Sequence, residues 1–153
     1  MKKLLILLLL TTFCQAQGLL FVSSEVDVSN AIMGSPVNEP AYDGIFSIGY
    51  RNGSATFQAS YETFKAIGFQ SFNIRGGKVF ELVRNFKLIP MAGVGMTLRE
   101  PNWAKRLTPS LDLSLQPEYH FRNWFVFLRA ESRYRGDLDR IVNSGFFGTG
   151  VKI

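Results

Sequence analysis

The clearest pattern along this chain is an alternation of apolar and polar residues with a period of two. In residues 111–121 the odd positions carry leucines, a proline and aromatics, while the even positions carry Asp112, Ser114, Gln116, Glu118 and His120. A period of two places successive side chains on opposite faces of a β-strand, with one face apolar and the other polar. The sequence therefore predicts an all-β fold.

The alternation recurs in eight segments, and the breaks between them alternate in length. Short turns are predicted at Asn52-Gly53, Arg84-Asn85 and Arg122-Asn123, and Asn-Gly favours a two-residue hairpin turn. The longer breaks cover about residues 29–40, 65–68, 100–106 and 136–144. Short turns at one end and longer loops at the other are typical of an outer-membrane barrel with both termini in the periplasm. We therefore predict a single antiparallel up-and-down transmembrane β-barrel of about eight strands.

Two prolines and a glycine pair interrupt this pattern. Pro90 and Pro117 fall inside predicted strands, where proline cannot donate a hydrogen bond to the neighbouring strand. We expect bulges at these prolines, near the periplasmic rim, and a further bulge at Gly76-Gly77.

The first residues carry the features of a secretory signal peptide. Lys2 and Lys3 precede the apolar run 4–10, and Ala16 is a small residue suited to the position before cleavage. A retained anchor is disfavoured because a spanning helix needs about 20 apolar residues. A lipoprotein with lipidated Cys14 is disfavoured because a bulky phenylalanine precedes that cysteine. We therefore predict a signal peptide over residues 1–16 and a barrel over residues 17–153.

Charge and cysteine content exclude several function classes. The net charge is +5, and removal of Lys2 and Lys3 with the signal leaves +3, without a basic run. We therefore expect no nucleic-acid partner. Cys14 is the single cysteine, so the exported chain would hold neither a disulfide nor a thiolate metal site.

The polar face supplies a candidate site inside the barrel. An eight-strand barrel has an interior just wide enough for side chains, and charges buried there require partners. We therefore predict a lumen filled by a charged network rather than a wide pore. Its candidate members are Glu25, Asp27, Glu62, Arg75, Glu81, Asp112, Glu118, Arg129, Glu131 and Arg133.

Aromatic residues on the apolar face fall near both ends of the predicted strands. Two girdles of this kind anchor a barrel at the two membrane interfaces. The girdle near the short turns contains Tyr50, Tyr119, Phe121 and Trp124, and the girdle near the longer loops contains Tyr42, Tyr61, Phe72 and Tyr134.

Candidate chemistry is sparse. His120 is the single histidine and shares its face with Glu118 and Ser114, so a catalytic triad for acyl transfer is conceivable. However, His120 lies beside a short turn at the periplasmic rim, whereas a lipid A substrate would occupy the outer leaflet. Asp137 and Asp139 could contact a divalent cation through their carboxylate oxygens, but solvated loop acids are the more ordinary explanation. We therefore predict no catalytic site, no cofactor-binding site and no metal site.

Taken together, these patterns resemble the small bacterial outer-membrane β-barrels, the group that includes OmpX and the membrane domain of OmpA. The resemblance covers the whole exported chain and rests on pattern. Phe147, Val151 and Ile153 resemble the C-terminal signal read by the barrel-assembly machinery, although this chain ends in isoleucine rather than an aromatic. The signal peptide ending in Gln15-Ala16-Gln17 resembles exports of the Bacteroidota. The resemblance implies a monomeric barrel with a filled interior and transfers no active site.

The sequence thus favours a structural or interaction role in the cell envelope, with outer-membrane lipid and other envelope proteins as partners. The alternative is a soluble periplasmic or secreted barrel that turns its apolar face inward and carries an apolar ligand. A lipid-modifying outer-membrane enzyme ranks third.

Overall fold

The computed structural model describes residues 18–28, 43–64, 68–99 and 106–153. The predicted signal peptide and most of the first three longer breaks lie outside these ranges. Nine β-strands follow in chain order: β1 (Leu19–Asp27), β2 (Asp43–Asn52), β3 (Ala55–Phe64), β4 (Phe69–Lys78), β5 (Phe80–Val83), β6 (Phe86–Arg99), β7 (Arg106–His120), β8 (Trp124–Arg135) and β9 (Arg140–Lys152). No helix in these ranges has the length and apolar character needed to cross a membrane.

The strands close into an antiparallel barrel with eight strand positions around its wall, and each of these positions is called a stave. Strands that are adjacent in the chain pair with each other, except β4 and β5, and β1 pairs with β9 through partners such as Val22 and Val151. Strands β4 and β5 both pair with the same side of β6 in one register, with Gly77 opposite Met91 and Phe80 opposite Leu88. They therefore form one interrupted stave, and the predicted eight-strand up-and-down barrel is confirmed.

The two prolines interrupt hydrogen bonding without shifting the register. Lys78 and Val79 have no paired residue on β6, and Lys78 lies opposite Pro90 in this register. The amide of Val79 instead donates to the carbonyl of Ser54 at 2.7 Å. Beside Pro117, the β7–β8 ladder lacks two pairs and then resumes in the same register. The expected bulges at the prolines and at Gly76-Gly77 are therefore wrong, because a proline removes one donor without adding a residue. A register shift lies instead between residues 81 and 83.

The turn between β8 and β9 is shorter than predicted. Arg135 lies opposite Arg140, so four residues connect the strands and the predicted break at 136–144 is wrong at its C-terminal side. Arg135 donates to both carboxylate oxygens of Asp137, at 3.0 and 2.6 Å, and Tyr134 donates to Asp139 at 2.6 Å. Burial acts to raise the pKa of Asp137, but the hydrogen bonds and charge of Arg135 hold this pKa below its usual range. These side-chain bonds stabilise a compact turn that the composition alone does not indicate.

The two faces of each strand meet opposite environments. Leu113 and Leu128 are 66% and 55% exposed, whereas the neighbouring Asp112 and Arg129 are 3% and 1% exposed. Large apolar side chains therefore form a belt around the outside, and charged side chains point into the lumen. A soluble carrier of an apolar ligand would require the reverse arrangement, so this geometry opposes the carrier alternative.

Substitution of Leu113 tests whether the apolar belt faces lipid. Its replacement, Leu113→Arg, should lower the free energy of unfolding from lipid vesicles by about 2–4 kcal/mol, because a charge near the bilayer midplane is costly. Leu107→Arg is the matched control: this leucine is 60% exposed but lies at the loop end of β7, where the cost should be about 0–1 kcal/mol. Denaturant titration of the reconstituted barrels measures both values. Equal costs at the two positions would contradict a lipid-facing belt.

Candidate functional site

The strand pattern brings the predicted charged residues together inside the barrel. Nine of the ten candidates are buried: Glu25, Asp27, Glu62, Arg75, Asp112, Glu118, Arg129, Glu131 and Arg133. Glu81 is the correction, because its side chain is exposed. It lies on β5, where all four residues are exposed at the short-turn end of the interrupted stave, beyond the packed part of the lumen.

Glu131 on β8 is the centre of the charged network. Its Oε2 accepts a hydrogen bond from Arg75 at 2.8 Å and lies 3.3 Å from Nη1 of Arg129. Its Oε1 accepts from Nε of Arg133 at 2.7 Å and forms a 2.6 Å salt bridge with Nη2 of that residue. Three guanidinium groups thus surround one carboxylate that is removed from water.

Each of these arginines also reaches an acid on another strand. Arg75 donates to Asp112 at 2.8 Å. Arg129 lies 2.8 Å from Glu25, and Arg133 lies 2.6 Å from Glu62. The network therefore joins β1, β3, β4, β7 and β8, which are five of the eight staves. Charge-assisted bonds of this kind are short and offset part of the cost of burying the ions.

A second cluster lies nearer the short turns, around Glu118. Arg51 donates to both oxygens of Glu118, at 3.1 and 3.0 Å. Gln116 donates at 2.8 Å, and Nε2 of His120 lies 2.7 Å from Oε2. The sequence prediction named Glu118 but omitted its arginine partner. The signal was present, because Arg51 has the inward parity of β2.

Three phenylalanines fill the lumen beside this cluster. Phe21, Phe125 and Phe127 are all buried, and the rings of Phe21 and Phe125 meet edge to face with centroids 5.7 Å apart. Each ring lies over an inward-facing glycine of a neighbouring strand; a Cβ added to Gly150 would lie 2.3 Å from the Phe125 ring. Sequence reasoning missed this aromatic plug, defined as these three side chains. Its signal is a phenylalanine in phase with the polar face and paired across the sheet with glycine.

The conceivable triad of Ser114, His120 and Glu118 is not assembled. His120 contacts Glu118 and stacks on the ring of Phe125, with centroids 5.2 Å apart. Ser114 lies six residues from His120 along the same strand, which corresponds to about 20 Å. Within the described ranges there is also no group of three or more metal-ligating side chains.

Six of the predicted girdle aromatics are exposed on the outside of the barrel: Tyr61, Phe72, Tyr119, Phe121, Trp124 and Tyr134. Tyr50 is half-buried, and Tyr42 lies outside the described residues. Near the short turns, Phe121 and Trp124 stack with centroids 4.1 Å apart. Near the loop end, Tyr61 lies directly opposite Phe72.

Comparison with known proteins gives matches in structure alone. No family model and no curated protein sequence matches the chain. The N-terminal β-barrel domain of Pseudomonas aeruginosa OprF superposes with a TM-score of 0.71 at 14% identity, covering 90% of this chain and 100% of that one. The Yersinia pestis outer membrane protein Ail gives 0.62 at 14% identity, with 90% and 100% coverage. Neisserial surface protein A gives 0.56 at 16% identity, with 89% and 95% coverage. These similarities show that the chain has the fold of small outer-membrane barrels.

The central position of Glu131 in the charged network can be tested by substitution. Its replacement, Glu131→Gln, should lower the free energy of unfolding by about 3–5 kcal/mol, because three buried guanidinium groups lose their shared counter-charge. Glu81→Gln makes the same chemical change at an exposed position and should alter stability by less than about 0.5 kcal/mol. Denaturant unfolding in one detergent gives both values. A Glu131→Gln barrel as stable as the control would contradict the role of this carboxylate.

Proposed function

We propose that this protein is a small outer-membrane β-barrel with a structural or interaction role in the cell envelope, and that its lumen is a charged plug rather than a wide pore. The observation that carries the proposal is the contrast between the two faces of the barrel wall. The outside is an apolar belt, whereas the inside is cross-linked by buried ion pairs around Glu131.

Several features support the location. Without water in the bilayer, backbone polar groups must be satisfied by the protein, and a closed barrel achieves this. The predicted signal peptide over residues 1–16 would export the chain, and the fold matches that of Ail, which is an outer membrane protein. We further propose that the short turns face the periplasm and that Gly136–Asp139 lies on the outer side. A source among the Bacteroidota stays a prediction from the signal peptide.

The filled lumen supports a role that depends on contacts at the outer surface of the barrel rather than on passage through it. Guanidinium groups and carboxylates occupy its middle, and the aromatic plug occupies the end near the short turns. A barrel of this size leaves little room beside such side chains. We therefore propose a monomer whose partners are outer-membrane lipid and other envelope proteins, without nucleic acid, cofactor or enzymatic activity.

Cell fractionation tests the proposed location. The full chain should be recovered with outer membranes and should require detergent to dissolve, because its belt needs an apolar environment. A chain lacking residues 2–16 is the matched control and should remain in the cytoplasm, since it lacks the predicted export signal. Recovery of most of the full chain in the soluble periplasmic fraction would contradict the proposal.

A further inference from the structure

A pocket opens at the mouth of the barrel on the short-turn side. It has a volume of about 390 Å³, and four cationic residues line it: Arg84, Lys87, Arg122 and Lys152. His120 lies at its inner side, above the cluster around Glu118. The pocket is therefore a concave site whose wall carries several positive charges.

Strand register directs two of these cations into the mouth. Lys87 lies opposite Glu118, and Lys152 lies opposite Phe21. Because directly opposed residues share a face of the sheet, and both partners point into the lumen, the two lysines also have inward positions. Arg84 and Arg122 belong to two of the three short turns at this end of the barrel.

Backbone hydrogen bonds hold the rim together. The amide of His120 donates to the carbonyl of Asn85 at 2.7 Å, which ties the β5–β6 turn to β7. The amide of Lys152 donates to the carbonyl of Asn123 at 2.8 Å, which ties the β7–β8 turn to β9. The four cations therefore sit on a connected frame.

These cations differ from the arginines deeper in the lumen. Within the described residues, no salt bridge joins any of the four to an acid, and Glu81 forms none to Lys87 despite lying opposite it. The nearby carboxylate of Glu118 accepts hydrogen bonds from Arg51 and Gln116 and contacts His120. Among the described residues, the pocket thus presents four positive charges that have no acid in salt-bridge contact, above a Glu118 carboxylate that is already bonded to Arg51.

We propose that this pocket binds a phosphate group, supplied either by the head group of a lipid or by free phosphate. Phosphate has several acceptor oxygens that match converging ammonium and guanidinium donors. Tyr119 and Phe121 of the aromatic girdle flank the pocket, and such aromatics lie at head-group level in a bilayer. The lipid source rests on the proposed membrane location, whereas binding of free phosphate does not require it.

Titration of the refolded full-length mature barrel with inorganic phosphate in uncharged maltoside micelles tests the site. Amide resonances of Asn85, Asn123 and Lys152 should shift saturably, while those of Gly136–Asp139 at the other end should not. The double variant Lys87→Gln, Lys152→Gln should weaken binding at least about tenfold, since two charge-assisted contacts are lost. Arg140→Gln, at an exposed position of the loop end, is the matched control and should leave binding unchanged.

A second variant keeps the test decisive if the inward lysines are needed for folding. Arg84→Gln combined with Arg122→Gln changes two turn residues and should also weaken phosphate binding. The absence of saturable shifts with the wild-type barrel, or equal binding by a folded double variant, would overturn the site.

Nanodiscs separate the two sources of phosphate. In phosphate-free buffer, the same resonances should differ between nanodiscs of phosphatidylglycerol and nanodiscs of a neutral galactolipid if a head group occupies the pocket. Shifts that arise only when inorganic phosphate is added would assign the site to free phosphate. If neither inorganic phosphate nor the lipid head group shifts these resonances, the phosphate site is overturned and the fractionation result still stands. If the protein is instead recovered as a soluble periplasmic protein but binds phosphate in micelles, only the membrane location is overturned.

Discussion

The fold depends on the neutralisation of charged side chains that are buried inside the barrel. Glu131 lies among Arg75, Arg129 and Arg133, and each of these arginines holds another acid on a different strand. Removing one partner of such a set leaves an uncompensated buried charge, which costs more than an ordinary hydrogen bond. The network therefore favours the one register in which all members meet.

The apolar belt imposes the same register from outside. Because strand side chains alternate, a slip of one residue would turn Leu113 into the lumen and Asp112 toward lipid. The belt and the network are thus two consequences of one alternation. The aromatic plug favours the same register through steric fit, since Phe125 and Phe127 occupy space that the facing Gly150 and Gly148 leave open.

The sequence predicted the strand number and the two faces because a period of two is a local property of strands. Leu111, Leu113 and Leu115 share one face whatever their neighbours are. Partners were harder to predict, since Arg51 and Glu118 lie 67 residues apart and meet only when the barrel closes.

The features that the sequence did not predict correctly have related physical explanations. Glu81 has the expected parity, but the interrupted stave carries it beyond the packed lumen. The last turn is short because Arg135 and Tyr134 bind the acids of that turn, which composition does not reveal. The plug was missed because an inward phenylalanine becomes favourable only beside a glycine on another strand, which is again a long-range relation.

In the proposed arrangement, the apolar face of the barrel meets lipid and the polar face fills the lumen. Spin labels placed one at a time at positions 110, 111, 113, 114 and 115 of the reconstituted barrel test it directly. Labels at 111, 113 and 115 should collide with oxygen dissolved in the bilayer, whereas labels at 110 and 114 should be shielded from it. Oxygen access at 110 and 114, with shielding at the three leucine positions, would contradict a lipid-facing apolar belt.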